Sequence, residues 1–121
     1  MLELKEIDGK SVLSFTPGPS NQTQASFRTK VRLARGHYHF DAKVKTDGVT
    51  ATPEDKGTGA GVRLSGGNRK NGVTGTMDWQ TVSHEFEVTQ DLQEVELVAE
   101  LRSTAGSALF ELASLRVYKQ K

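Results

Sequence analysis

Three histidines and a single tryptophan are the side chains of this sequence best suited to chemistry. His37, His39 and Asp41 recur at every second position. On a strand, residues two apart point to the same face, so these three would stand in a row. Such a row can converge on a metal ion, offer hydrogen bonds to a ligand, or make nothing more than a polar sheet face. Lys43 and Lys45 continue the row and would repel a cation. The glutamate and glycine spacing that accompanies a His-x-His pair in a cupin is absent. His84 has the phase of Phe86 and reads as a histidine at the core edge.

Trp79 opens a segment in which Val82, Phe86 and Val88 alternate inward, and it has the opposite phase. It either packs at the sandwich edge or lays its ring face against the C–H face of a sugar, with the indole N–H free for a hydroxyl. Arg63 shares its phase with Gly59, Gly61 and Ser65. Two glycines leave a shallow trough, from which a guanidinium reaches ligand hydroxyls or a carboxylate; the other reading is a salt bridge to an acidic strand. Asn68 begins a polar, cationic tip, Asn68-Arg69-Lys70-Asn71, which either contacts an acidic glycan or is only a solvated hairpin end. Phe110 is expected in the core.

Several chemistries are excluded. The chain has no cysteine, so thiol catalysis, thiolate metal sites and disulfides are ruled out. No Gly-x-Ser-x-Gly elbow occurs, and no Ser/His/Asp set can be placed by spacing. Gly57-x-Gly59-x-Gly61 is not a dinucleotide loop, because the spacing is wrong and no helix pattern follows. A glycosidase needs two carboxyls about 5 to 9.5 Å apart across a cleft. Glu94, Glu96 and Glu100 share one face, but they read better as an exposed acidic strand. No enzyme is expected.

The elements that position these residues are strands. Tyr38, Phe40, Ala42 and Val44 alternate with polar neighbours, as do Val95, Leu97, Ala99 and Leu101, and Phe27, Val31 and Leu33 keep the same period. Period two marks strands buried on one side. Strands are expected near 2–7, 11–16, 23–33, 37–46, 58–65, 79–88, 93–102 and 107–118. Turn chemistry separates them at Asp8-Gly9, Pro17-Gly18-Pro19, Arg35-Gly36, Gly66-Gly67-Asn68, Asn71-Gly72 and Ala105-Gly106. About eight such strands without a helical segment predict an all-β, antiparallel β-sandwich of jelly-roll topology in two sheets. At 121 residues the chain is expected to be one domain spanning 1–121.

Charge is segregated. Phe27 to Lys45 is basic except for Asp41, and Glu85 to Glu100 is acidic, so paired strands would face each other with opposite sign; the other reading is a basic patch for a polyanion. The net charge of +1 is too small for bulk attraction to nucleic acid or anionic lipid. No apolar run approaches the roughly 20 residues that span a bilayer, and MLELKEIDGK has no apolar signal-peptide region. The chain is therefore expected to be either cytosolic or, the preferred reading, a module of a longer exported protein.

Four pieces resemble a carbohydrate-binding-module type of jelly roll, within the galactose-binding-domain-like class. They are LSFTPGPSNQTQASFRTKVRLARGHYHFDAKVKTDGV, GAGVRLSG, TMDWQTVSHEFEV and VELVAELRSTAGSALFELASLRV. The resemblance runs from about Val12 to Val117 and is more specific for architecture than for ligand. It implies a non-catalytic accessory module, extracellular or periplasmic, that binds a polysaccharide or glycan and is tethered to other domains. Trp79, Arg63, His39, His37 and Asn68 would be its ligand-binding residues. Related modules hold a structural calcium through two acidic residues after the closing aromatic. Here the order is Phe110-Glu111-Leu112-Ala113, which leaves Glu111 as the one metal candidate, and the first strand is short. The alternative is a structural or protein-interaction sandwich with no sugar ligand. Aromatic content of 7% favours that alternative, since the core claims most of those rings.

Overall fold

The computed structural model describes residues 2–17, 23–50, 59–67 and 71–120. Among the described residues seven strands follow in order: β1 (Leu2–Ile7), β2 (Lys10–Phe15), β3 (Thr23–Thr50), β4 (Gly59–Leu64), β5 (Gly75–Ser103), β6 (Ala105–Glu111) and β7 (Arg116–Lys119), with a 3-10 turn at Leu112–Ser114. All pairings are antiparallel. The hydrogen-bonded order is β1-β2-β6-β3-β5-β4, and β7 also pairs β3.

β3 and β5 form the frame. The first arm of β3 pairs with the last arm of β5 from Thr23↔Ser103 to Ala34↔Leu92, and the second arm pairs with the first arm of β5 from Gly36↔Val88 to Val49↔Gly75. A register shift at Arg35 joins the two halves. The expected break at Arg35-Gly36 is thus a corner in a continuous ladder, and four expected segments become two long strands. The folded ladder gives a sandwich. One layer is β4, the last arm of β5 and the first arm of β3. The other is β1, β2, β6 with β7, the second arm of β3 and the first arm of β5.

Both layers feed one hydrophobic cluster. Ala60, Val62, Val95, Leu97, Ala99 and Leu101 come from the first layer, and Leu13, Phe15, Phe40, Ala42, Val44, Val82 and Phe110 from the second. These are the residues whose period-two alternation marked an inner face. Phe15 and Phe110 are fully buried and meet edge to face, with ring centroids 5.5 Å apart. Removing either ring would cost about 3–5 kcal/mol.

The expected last strand divides in two. β6 pairs β3 at Val44–Thr50 and β7 pairs it at Tyr38–Asp41. Between them the 3-10 turn lifts the backbone off the ladder, and Ser114 fills the gap. Its hydroxyl accepts the Lys43 backbone N–H at 2.8 Å and donates to the Glu111 carbonyl at 2.6 Å. A backbone donor that loses its strand partner needs another acceptor, and this serine supplies it. The turn also changes the side-chain phase, so Phe110 points inward before it and Leu115 and Val117 after it.

The expected pairing of basic and acidic strands is present. Arg28 meets Glu96 at 3.0 Å and Arg35 meets Asp91 at 3.1 Å. The Arg28 hydrogen bond, helped by Ser65, holds the Glu96 carboxyl below its ordinary range. His84 stacks beside Phe86 with centroids 6.2 Å apart, as its phase indicated. Among the described residues no helix is long and apolar enough to cross a membrane.

Candidate functional site

On the second arm of β3 the core takes Tyr38, Phe40, Ala42 and Val44. Alternation therefore turns His37, His39, Asp41, Lys43 and Lys45 to the outer face of the five-stranded side. In register beside them on β5 lie Glu87, Glu85, Ser83 and Thr81. On the other flank β7 sets Tyr118 beside His39 and Arg116 beside Asp41.

Trp79 stands on this face two residues from Thr81, and a bulge adjoins it. Val44 pairs Gln80 and Thr46 pairs Met77, so Asp78 and Trp79 together oppose Lys45. Two residues against one make a β-bulge. The Trp79 backbone N–H turns to the Asp78 carboxylate at 2.8 Å, and the residue is 40% exposed. It lines a hollow of about 310 Å³ with Ile7, Asp8, Lys10, Val12, Lys43 and Glu111. Ile7 belongs to β1 and Trp79 to β5, at opposite margins of the layer. In a flat sheet these strands would be about 19 Å apart. That both border one hollow means the layer curls, with its outer face concave.

A second hollow of about 280 Å³ continues the first; it is lined by Asp41, Thr81, Ser114 and Arg116 and shares Lys43 and Glu111 with it. Together they form a trough along β3. At its far end Asp41 is 7% exposed and is held by three groups. The Ser83 hydroxyl donates to it at 2.5 Å, the Tyr118 phenol donates at 3.0 Å, and Arg116 lies 4.0 Å away. The Asp41 hydrogen bond, with desolvation, pushes the Tyr118 phenol above its ordinary pKa. The His39 ring stacks on Tyr118 with centroids 5.2 Å apart and planes 9° from parallel. His39 also reaches Gln120 at 3.0 Å and Glu85 at 3.5 Å, and His37 reaches Glu85 at 3.7 Å. From Trp79 to the row of Glu85, His39 and Tyr118 is six residues of strand, or about 20 Å.

Of the residues singled out in the sequence, Trp79, His39 and His37 share this face. Arg63 does not. It lies in the opposite layer, 8% exposed. Its guanidinium grips Glu100 with two bonds, Nε to Oε1 at 3.0 Å and Nη2 to Oε2 at 3.1 Å, and donates to the Leu64 carbonyl at 3.2 Å. The salt bridge to an acidic strand is the one of its two readings that forms. The expected glycine trough is closed as well. A Cβ at Gly59, where φ is +89°, would lie 2.7 Å from the Val73 carbonyl, so this glycine admits a backbone neighbour and leaves no opening. Asn68 lies outside the described residues. Glu111 lines both hollows, but it faces Lys10 at 4.0 Å. Among the described residues no three His, Cys, Asp or Glu side chains gather that could hold a metal ion.

Sequence reasoning missed Tyr118, Arg116, Thr81 and Ser83 as site residues. The phase of Arg116 and Tyr118 against Leu115 and Val117 was the available signal. It did not reveal that β7 lies beside β3.

The sequence matches no family model and no curated protein. The fold has solved counterparts. The chain is similar to TmCBM61, solved with β-1,4-galactotriose, at a TM-score of 0.64 and 14% identity, covering 98% of this chain and 82% of that one. It is also similar to a CBM4 structure at a TM-score of 0.59 and 23% identity, covering 98% of this chain and 78% of that one. The chain has the jelly-roll β-sandwich fold of these carbohydrate-binding modules.

Proposed function

We propose that this chain is a non-catalytic carbohydrate-binding module that seats a saccharide in the trough on the concave face of its five-stranded layer. The observation that carries this reading is the exposed Trp79 ring at the head of that trough, set beside a bulge and followed by a line of hydrogen-bonding side chains. The indole would stack on a pyranose ring. Thr81, Ser83, Arg116 and His39 would bond hydroxyls further along. Asp41 is already engaged by Ser83 and Tyr118, and this holds the trough floor rigid. The TmCBM61 neighbour with its galactotriose supports a saccharide as the class of ligand.

Recognition on an open trough is weak for a single module and gains effect by tethering a partner domain at its substrate. The chain would act as an accessory domain, 1–121, of a larger exported protein. Affinity electrophoresis against a panel of soluble polysaccharides tests the reading. Retardation by at least one glycan, abolished in Trp79→Ala with the melting temperature unchanged, supports it. Free migration on every glycan, in a folded protein, would favour the structural or protein-interaction alternative.

A further inference from the structure

Resting on that carbohydrate reading, we propose that the saccharide is acidic: it carries a carboxylate or sulfate, and Lys43 pairs with that group beside the ring stacked on Trp79. Lys43 is the exposed cation at the centre of the trough, bordering both hollows. In register it faces Thr81, a neutral residue.

Of the carboxylates around it, Asp8 on the β1–β2 turn borders the first hollow and is exposed to solvent, and the others are engaged elsewhere. Asp41 takes the Ser83 and Tyr118 hydroxyls. Glu111 faces Lys10 at 4.0 Å. Asp78 takes the Trp79 backbone N–H. Glu85, further along, lies against His37 and His39. Among the described residues the Lys43 ammonium has neither an ion pair nor a hydrogen bond; the bond that residue makes is through its backbone N–H to Ser114. Lys45, two positions on and beside the bulge, is likewise exposed.

A ring laid across Trp79 and the first hollow would cover Lys43. Burying an ammonium without a partner is costly, and an opposite charge supplied by the ligand offsets that cost. A neutral sugar meets Lys43 with hydroxyls alone. An acidic sugar meets it with a charge-assisted hydrogen bond, which is about twice as strong.

The test is calorimetry on the folded protein at pH 7 with three trisaccharides: galacturonic acid trimer, neutral β-1,4-galactotriose and a sulfated galactose trimer. The acidic sugars are expected to bind about threefold to fivefold more tightly than the neutral one at low salt, as a partly exposed ion pair would give. Which acidic arm is tighter identifies the group. That preference should fade as sodium chloride rises from about 0.02 M to about 1 M, where the Debye length falls to about 3 Å. In Lys43→Gln the ratio of acidic to neutral affinity should fall to near one, while Trp79→Ala should abolish binding of all three. Equal binding of the three by the wild type, or a ratio unchanged in Lys43→Gln, would overturn the acidic ligand and leave the carbohydrate reading standing. Binding of none would overturn an acidic galactose-type ligand, while the polysaccharide panel decides the carbohydrate reading separately.

Discussion

The Tyr118 phenol donates a 3.0 Å hydrogen bond to the Asp41 carboxylate, joining β7 to the middle of β3 on the concave face. It links chain positions 77 residues apart and fixes an aromatic ring under His39. Because Asp41 favours the protonated phenol, the folded state holds that proton more tightly than the unfolded chain does. The stabilisation is complete below the ordinary phenol pKa of about 10 and is lost as pH rises through the raised value. Melting temperatures recorded from pH 8 upward should therefore show an alkaline loss in the wild type that is smaller in Tyr118→Phe. Identical alkaline profiles would rule this linkage out.

Trp79 is the sole tryptophan, so its fluorescence reports on the trough alone. A stacked sugar should shift the emission to shorter wavelength and protect the ring from iodide quenching. Trp79→Ala should weaken binding at least about tenfold, the effect of deleting an aromatic anchor. Trp79→Phe should recover part of it. Emission that ignores a bound saccharide would place the sugar elsewhere on the molecule.

Arg63 and Glu100 form a buried, two-bond ion pair in the layer opposite the trough. Removing Arg63 strips the buried Glu100 carboxylate of its two-bond partner and leaves it facing Arg102 at 3.8 Å, a loss of up to about 3–5 kcal/mol. Arg63→Ala should therefore lower the melting temperature by roughly 10 °C or more. Saccharide titrations made where the variant is still folded separate the two roles the sequence allowed Arg63. Lost affinity with unchanged melting would make it a ligand contact after all.

How legible these features were depends on the range over which each is determined. Alternation is local, so Tyr38, Phe40, Ala42 and Val44 gave the inner face of β3 and, by subtraction, the outer row of His37, His39, Asp41, Lys43 and Lys45. The phase of Trp79 likewise marked it as outward-facing, although the bulge beside it depends on how β5 pairs with β3. Strand adjacency is a long-range property. Nothing near Arg116 or Tyr118 in the chain specifies that they will flank Asp41 and His39, and the curl that brings Ile7 towards Trp79 leaves no mark in composition. Arg35-Gly36 carried turn residues, yet β3 runs on through it, and pairing with β5 resumes at Gly36↔Val88 after a register shift. Arg63 was misleading for a related reason: its glycine neighbours suggested open space that the Val73 backbone fills.

Asn71, which the sequence offered as a turn residue and as the end of a polar, cationic tip, bonds to both layers at the margin of the sandwich. Its carbonyl accepts the Val62 N–H at 2.9 Å, and its amide donates to the Val62 carbonyl at 2.9 Å and to the Ser83 carbonyl at 3.1 Å. Val62 lies on β4 of one layer and Ser83 on β5 of the other, and Ser83 in turn holds Asp41 on the trough floor. The side-chain amide therefore stands in for a neighbouring strand at Val62 and ties the layers together beside the site. Asn71→Ala strips these partners from partly buried backbone groups, at about 1–3 kcal/mol for a donor or acceptor left unmade. Asn71→Asp keeps the acceptor but sets a carboxylate against two carbonyls, so it should be destabilising too. Hydrogen exchange separates this tie from a general loss of stability. The Val62 amide should lose protection in Asn71→Ala well beyond the change at Val98 and Ala99 in the middle of the same layer. An even rise across all three amides would show that Asn71 contributes to overall stability without acting as a local tie.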